Sequence, residues 1–223
     1  MSQPRTIAFF GSSDLLSQTT PAATCLRGIM QGLQGRGFQF TFFAPRCADG
    51  HRNGDHHETA WVRLASYRAD TEQGLLDALQ DAAAADIIIK SSKVGLFDER
   101  LDRSVLDVAP PRTQVVFWDL DPTETLDRLQ ANPDDPFRAL IPKYDLILTS
   151  GGGETASDAY LRLGARLCVP IDDGLVREVE DSFASPFLAD GGLDLTPDER
   201  GIEHRVRELE VILRPAALHP LPA

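Results

Sequence analysis

Short, continuous apolar runs alternate with longer amphipathic segments along this sequence, and that alternation restricts the fold more than any other feature. Most of the runs lack a regular exchange of polar and apolar residues, which is typical of strands that are buried on both faces of a sheet. The seven runs of strand length cover residues 7–10, 38–43, 61–67, 87–90, 114–118, 146–149 and 167–169.

Helical patterns fill the spaces between these runs. Strands that alternate with helices pair in parallel and carry helices on both faces. We therefore predict an α/β fold, a doubly wound, Rossmann-like parallel sheet over residues 1–171, with the strand at 7–10 in its centre. The run at 61–67 exchanges polar and apolar residues and predicts an edge strand or an antiparallel strand. The helical patterns cover residues 22–36, 71–84, 97–108, 122–131 and 154–163.

The character of the sequence changes after residue 171. Many acidic residues and few apolar runs follow, and helical spacing returns only over residues 197–213. We expect residues 172–223 to form an acidic linker, one helix and a tail outside the core of the sheet. The helix has a narrow apolar stripe that suits docking on the α/β domain or on a second copy of the chain, which makes a homodimer one expected assembly. The stripe consists of Ile202, Val206, Leu209 and Leu213.

Charge and hydropathy exclude several partners. The chain has 223 residues, of which 34 are acidic and 22 basic, and its formal charge of -12 repels nucleic acids and anionic membrane surfaces. Few apolar residues precede Gly11, too few for a signal peptide, and no apolar stretch approaches the roughly 18 residues of a membrane helix. We predict a cytoplasmic protein with no nucleic-acid partner and no membrane insertion.

The cysteines and histidines give no metal or disulfide pattern. Cys25, Cys47 and Cys168 are odd in number and form no CxxC pair, which argues against a disulfide framework and a structural zinc site. Three histidines, His51, His56 and His57, share one loop, but no second cluster of metal ligands accompanies them. We predict no metal site.

The first candidate loop follows the first strand. In an open α/β sheet, ligands bind beyond the carboxyl ends of the strands, near the point where the strand order reverses. Gly11, Ser12, Ser13 and Thr20 offer a turn and hydroxyl groups ahead of a helix. The loop lacks both GxGxxG and the GxxxxGK[ST] phosphate loop, so it is either a substrate loop or a capped helix after a tight turn.

Loops after the two strands at 87–90 and 114–118 carry charged side chains. Lys90 and Ser91 end the first of these strands, and Lys93 follows. One of the two lysines could supply local positive charge to a site; the alternative is that both simply face solvent. After the second strand, Asp119 and Asp121 lie two residues apart. They either contact a ligand or, in the case of Asp121 before a proline, start a helix.

The fourth loop carries three consecutive glycines. Gly151, Gly152 and Gly153 precede a helical pattern, so their backbone amides can approach a ligand closely, unless they form only a flexible turn. Glu154 follows them and would repel a phosphate, which favours a sugar or another hydroxyl-bearing ligand. The chain has no GxSxG or HExxH motif, and we assign no catalytic residue.

Several segments together resemble the N-terminal half of CgeB-like glycosyltransferases, bacterial proteins that are related to a spore-maturation protein and have the two-domain GT-B fold. The resemblance runs from about residue 7 to residue 171. It implies that residues 11–13, the turn at 118–121 with Trp118, and residues 151–153 line the acceptor side of a cleft between two domains. The segments are IAFFGSS, DIIIKSSKVGLFDE, VVFWDLDPTETLDRL, DPFRALIPKYDLILTSGGG and AYLRLGARLCVPI.

The resemblance also implies what the chain does. We expect the acceptor-binding or sugar-binding half of a GT-B sugar transferase, with residues 172–223 as the truncated remnant of a second domain and no transfer activity of its own. A nucleotide-sugar donor would then bind only where a second domain or a separately encoded partner completes the protein, and no other cofactor is expected. The alternative is a non-catalytic interaction or regulatory module on the same scaffold. The absent GxGxxG disfavours an oxidoreductase.

Overall fold

Seven parallel strands form one sheet in the computed structural model, which describes residues 5–17, 21–46, 62–95, 97–171 and 199–213. Each strand coincides with one of the predicted apolar runs. The strands are β1 (Arg5–Phe10), β2 (Phe38–Arg46), β3 (Arg63–Arg68), β4 (Ile87–Ser91), β5 (Gln114–Asp119), β6 (Leu146–Ser150) and β7 (Cys168–Ile171).

The strand order is β3-β2-β1-β4-β5-β6-β7, which confirms the predicted doubly wound, Rossmann-like sheet. Strand β1 lies in the centre, where Ile7 pairs with Phe40 of β2 and with Ile87 of β4. The order reverses between β1 and β4. Strand β3 lies at the edge of the sheet and pairs in parallel with β2. Of the two alternatives for the run at 61–67, the edge strand is confirmed and the antiparallel strand is wrong.

Seven described helices accompany the sheet, together with two short 3₁₀ helices at Pro136–Ala139 and Ile141–Lys143. Pro122 stands at the first helical position of the fifth, where its fixed φ and missing N–H suit a helix start. The helices are α1 (Asp14–Ser17), α2 (Pro21–Gly35), α3 (Glu72–Ala82), α4 (Asp98–Val108), α5 (Pro122–Ala131), α6 (Gly153–Arg162) and α7 (Glu199–Leu213).

Successive residues of each strand point to opposite faces of the sheet, and each face has its own core. Ile7 and Phe9 of β1 belong to the core that α2 and α7 cover, which we call the α2 face. Ala8 and Phe10 belong to the core beneath α3, α4, α5 and α6. Most strand residues are buried on whichever face they point to, which explains why the runs are continuously apolar.

Helix α7 is part of the α2-face core. Val206, Leu209 and Leu213 are at most 2% exposed and pack in one cluster with sheet residues. The expectation that residues after 171 lie outside the sheet's core is therefore wrong for α7. The docking of its apolar stripe on the α/β domain is confirmed, whereas docking on a second copy stays a prediction.

Two glycines of α2 allow α7 to approach closely. A Cβ atom on Gly28 would lie 2.6 Å from Ile202 Cδ1, and one on Gly32 would lie even closer to Val206 Cγ2. Beside this contact, Arg36 forms ion pairs with Glu203 and Glu210. Helices α2 and α7 are thus held together by the packing of α7 side chains on the α2 backbone and, beside that contact, by the ion pairs of Arg36.

Candidate functional site

Four loops meet at the carboxyl edge of the sheet, because the carboxyl ends of parallel strands share one edge. They follow β1, β4, β5 and β6, and the described residues that were selected from the sequence lie in these loops or in the strand and helix ends beside them. Backbone bonds fix two of them to neighbouring strands: the Gly11 N–H donates to the Phe43 carbonyl oxygen (3.2 Å), and the Ser92 N–H donates to the Trp118 carbonyl oxygen (2.8 Å). The loops after β1 and β4 flank the point where the strand order reverses, the usual ligand position in such sheets.

The loop after β1 owes its glycine to packing. A Cβ atom on Gly11 would lie 2.7 Å from Phe42 Cζ and 2.8 Å from Phe9 Cε1, so a larger residue has no space. Ser12 Oγ accepts a hydrogen bond from the Asp14 N–H at 3.3 Å, which is a turn at the start of the short helix α1 and not a cap of α2. Ser13 is half-buried beside it. Thr20 lies outside the described residues.

Lys90 points into the core beneath α4 instead of reaching the edge. Its side chain is 1% exposed, and Nζ lies 2.7 Å from Asp98 Oδ1, in ion-pair contact with Asp102, and 5.3 Å from the centre of the Phe117 ring. Burial, the largest influence, raises the pKa of Asp102, and the charge of Lys90 opposes that shift. Ser91 is also buried and donates its hydroxyl proton to the Phe10 carbonyl oxygen at 3.1 Å. Neither side chain is available at the surface.

Lys93 is the lysine that reaches the carboxyl edge. Its side chain is 52% exposed, and Nζ bridges Asp121 Oδ2 (2.8 Å) and Glu124 Oε2 (2.6 Å) across the next loop. Hydrogen bonds to Asp121 and Glu124 raise the pKa of Lys93, and the Lys93 bond lowers the pKa of Asp121. Lys93 also has a positive φ of 61°, and Asp98 accepts a 3.1 Å bond from its N–H. A non-glycine residue in this conformation is costly and recurs at functional sites.

Asp119 is fully buried and braces two helices. Its Oδ1 accepts from the Asp121 N–H and from the Thr125 hydroxyl, both at 3.1 Å, and its Oδ2 accepts from the Tyr160 hydroxyl at 2.5 Å. Burial, followed by the charge of Asp119, raises the pKa of Tyr160 far above its ordinary value, so Tyr160 stays a proton donor. Asp119 thus joins the start of α5 to α6.

Trp118 and Asp121 also have structural partners. Trp118 is 3% exposed and donates its indole N–H to Ser150 Oγ at 2.9 Å. Asp121 caps α5 by accepting from the Glu124 N–H at 3.1 Å, yet it remains partly exposed beside Lys93. Of the residues at the turn 118–121, Asp121 is the one whose carboxylate reaches the surface.

The Tyr160 hydroxyl provides a direct test of the buried brace. Tyr160→Phe should lower the free energy of unfolding by about 3 kcal/mol, because it removes a donor from a buried carboxylate. Tyr144→Phe is the matched control, since the Tyr144 hydroxyl donates to the neutral Asp102 carbonyl oxygen at 2.7 Å and its loss should cost about 1 kcal/mol. Urea denaturation followed by circular dichroism measures both values. Equal losses in the free energy of unfolding would show that the hydrogen bond to Asp119 stabilises the fold no more than an ordinary bond to a carbonyl oxygen.

The turn after β6 leaves its backbone open. Gly151, Gly152 and Gly153 have φ values of 95°, 72° and 49°, which side-chain-bearing residues rarely adopt. Gly152 is the N-cap of α6 and, as a glycine, has no side chain to cap it. A Cβ atom on Gly153 would meet no described atom within 4 Å, and Glu154 is exposed beside it. The backbone amides at this turn can therefore be approached from outside.

A cleft of about 760 Å³ adjoins this turn. Its described lining comes from Gly153 and Glu154 of α6, Val169 and Pro170 of β7, and one side of α7 between residues 204 and 212. Helix α7 was not predicted to form a wall of any site, because residues 172–223 were expected to lie outside the sheet's core. The available signal was the apolar stripe of α7, which predicted docking but not where the helix docks.

Metal-binding and thiol chemistry find no support in the described part of the chain. No three histidine, cysteine or acidic side chains come together there as metal ligands, while Cys47, His51, His56 and His57 lie outside it. Burial raises the pKa values of Cys25 and Cys168 to about 11, so both remain thiols at neutral pH. None of the described helices combines the length and the apolar character needed to cross a membrane.

The order of the strands and the polar loops at the carboxyl edge of the sheet place this chain in the class of doubly wound α/β proteins. Comparison with protein-family models and with curated proteins finds no match for the chain.

Proposed function

We propose that the chain is the acceptor-binding or sugar-binding half of a GT-B sugar transferase, as the resemblance to CgeB-like glycosyltransferases implies, and that it binds a saccharide at the carboxyl edge. The observation that carries the proposal is the reversal of strand order between β1 and β4, flanked by loops with exposed or half-exposed polar groups. These groups are Ser12, Ser13, Lys93, Asp121 and the backbone of residues 151–153.

The same edge favours binding over catalysis. A general base needs a carboxylate that can reach a substrate proton. Asp119 is fully buried and accepts from three donors of its own chain, and Asp121 is paired with Lys93. The proposal therefore assigns recognition to this chain, and transfer to an assembly in which a second domain or a partner chain holds the nucleotide-sugar.

Charge favours the sugar over the phosphate part of such a ligand. The chain is acidic overall, with a formal charge of -12, and exposed Glu154 stands at the start of α6, where an anion would otherwise bind. Hydroxyl groups, in contrast, donate to carboxylates and accept from Lys93 and from backbone amides. A neutral saccharide fits this mixed set of groups.

A binding screen on the full chain tests the proposal. Maltose, N-acetylglucosamine, UDP-glucose, UDP and NADH are compared by thermal shift and by isothermal titration calorimetry. We expect saccharides to raise the melting temperature, since a ligand at 100 times its Kd adds about 2.7 kcal/mol, and UDP and NADH to have no effect. A response to NADH alone would place the chain among oxidoreductases instead.

Lysine variants locate the binding. Lys93→Met should weaken saccharide binding about tenfold, because it removes an exposed cation of the loop after β4 at little cost to stability. Lys143→Met is the matched control, since Lys143 is also exposed but precedes β6 and so lies at the opposite, amino edge. Equal Kd values for both variants would contradict binding at the carboxyl edge.

Sugar transfer by the purified chain alone, lost in Lys93→Met, would contradict the assignment of recognition without transfer.

A non-catalytic interaction or regulatory module is the second candidate. Its support is that Lys90, Trp118 and Asp119, which the sequence analysis placed among the ligand-binding residues, are all buried in contacts within the chain. Such a scaffold needs no small ligand. The absence of any response in the screen would favour this candidate over the first.

A further inference from the structure

The cleft between the first turn of α6 and helix α7, here the α6–α7 cleft, is separate from the loops after β1, β4 and β5. Its volume of about 760 Å³ lies within the usual range of about 300 to 1,000 Å³ for small-molecule sites. The cleft begins at Gly153 and Glu154, so it continues the open turn after β6 toward the C-terminal helix.

The lining combines an apolar base with a polar border. Val169, Pro170 and Ile212 are half-buried, and Val211 is 73% exposed although it is a large apolar residue. The polar lining residues come from two helices, Glu154 from α6 and His204, Arg205, Arg207 and Glu208 from α7. This combination is common in ligand sites, where apolar surface binds the body of a ligand and a few polar groups orient it.

The charges of the cleft cancel. Glu154 and Glu208 oppose Arg205 and Arg207, and His204 Nε2 lies 3.2 Å from Glu208 Oε1. Arg205 also pairs with Glu208. The cleft therefore selects neither anions nor cations, but it presents both carboxylate acceptors and guanidinium donors. A neutral molecule with many hydroxyl groups satisfies both kinds of group, because each hydroxyl donates and accepts.

We propose that the α6–α7 cleft binds one end of a neutral saccharide, and that α7 thereby supplies a wall of the site from within the same chain. This inference rests on the proposed function, which it extends from the edge loops to α7. The backbone of Gly153 and the carboxylate of Glu154 connect the two parts of the site. Arg207, whose side chain is 68% exposed, is the guanidinium of the border that is most accessible to a ligand.

Three sugars of equal size and different charge test the ligand class. Titration of the ¹⁵N-labelled full chain with glucose, glucuronate and glucosamine should perturb the amide signals of Gly153, Glu154 and Val211. We expect glucose to bind at least as tightly as the two charged sugars. Tenfold tighter binding of either charged sugar would overturn the assignment of a neutral ligand.

Filling the cleft tests its location. Val211→Trp should weaken maltose binding at least tenfold, because the larger indole takes up space in the cleft that Val211 lines. Leu76→Trp is the matched control, since Leu76 is also an exposed apolar helix residue, 41% exposed, but lies on α3, no described residue of which lines the cleft. Its Kd should equal that of the unmodified chain. Arg207→Ala removes an exposed guanidinium of the lining and should weaken maltose binding as well. It is the substitute test if Val211→Trp fails to fold.

The outcomes separate this inference from the proposed function. Maltose binding that is weakened by Lys93→Met but unchanged in Val211→Trp and Arg207→Ala overturns the cleft and keeps binding at the edge loops. Loss of binding in Val211→Trp and Arg207→Ala, with Leu76→Trp unchanged, supports the cleft. Absence of saccharide binding by the unmodified chain overturns both proposals.

Discussion

Val206→Asp should lower the free energy of unfolding by more than about 3 kcal/mol, because it places a carboxylate in the core without a partner. Val206 is 0% exposed and packs against Gly32 of α2. Val211→Asp is the matched control, the same substitution on the same helix at a residue that is 73% exposed, and should change stability by no more than about 0.5 kcal/mol. Urea denaturation measures both.

The reason for this large effect is the position of α7 on the sheet. The α2-face core includes Val116, Leu148 and Ile171 of strands β5, β6 and β7, together with Val206 and its neighbours in α7. Unfolding of α7 alone would expose its apolar stripe and the surface of α2 that it covers, so its stability is coupled to that of this core. Equal effects of Val206→Asp and Val211→Asp would show that the helix is not docked in solution.

Lys90→Met should lower the free energy of unfolding by about 3 to 5 kcal/mol, the usual result of removing one partner from a buried ion pair. The side chain of Asp102 is only 11% exposed and would lose its cation, whereas Asp98, at 33%, would keep more contact with water. Lys93→Met is the matched control, because Lys93 is 52% exposed and its ion pairs should contribute no more than about 1 kcal/mol.

The effect of Lys90→Met should also depend on pH. Burial already raises the pKa of Asp102, and loss of the Lys90 charge would raise it further. The folded variant then binds a proton more tightly than the unfolded chain, whose aspartates have a pKa of about 3.9. Its stability therefore falls as pH rises from that value through the folded pKa. The stability difference from the unmodified chain should be smaller at pH 5 than at pH 8.

A second substitution separates the lost ion pair from a packing defect. The double variant Lys90→Met with Asp102→Asn should recover stability relative to Lys90→Met, because it removes the unpaired charge. No recovery, together with a pH-independent loss, would contradict the role of Lys90 as the partner of Asp102.

Strand and helix order could be predicted from the sequence, because burial on both faces makes strands such as β4 and β6 continuously apolar. The positions of the four loops followed as well, since the carboxyl ends of parallel strands share one edge. The pairing direction of β3 could not be decided from its pattern, because an edge strand exchanges polar and apolar residues in either direction. Its parallel direction is visible only in the register with β2.

Side-chain direction at the candidate site depended on contacts between a strand and the helices packed against the sheet. Lys90 lies near the end of a strand, where its sequence position predicts a side chain at the carboxyl edge of the sheet. In the structure it is buried and pairs with Asp98 and Asp102 of α4. Asp119 looks like a ligand-binding carboxylate, but Tyr160, 41 residues later, occupies it. Neither contact has a local pattern, because each arises where a helix returns over the sheet.

The sequence by itself determined the doubly wound sheet, the edge at which its loops meet and the amphipathic character of α7, since all three depend on local apolar periodicity. Only the tertiary structure decided that α7 completes the α2-face core and forms a wall of the α6–α7 cleft. The physical reason is that an apolar stripe shows which side of a helix is buried but not what covers it. The partner surface, with Gly28 and Gly32 at its centre, is formed by α2, which lies more than 150 residues earlier in the chain.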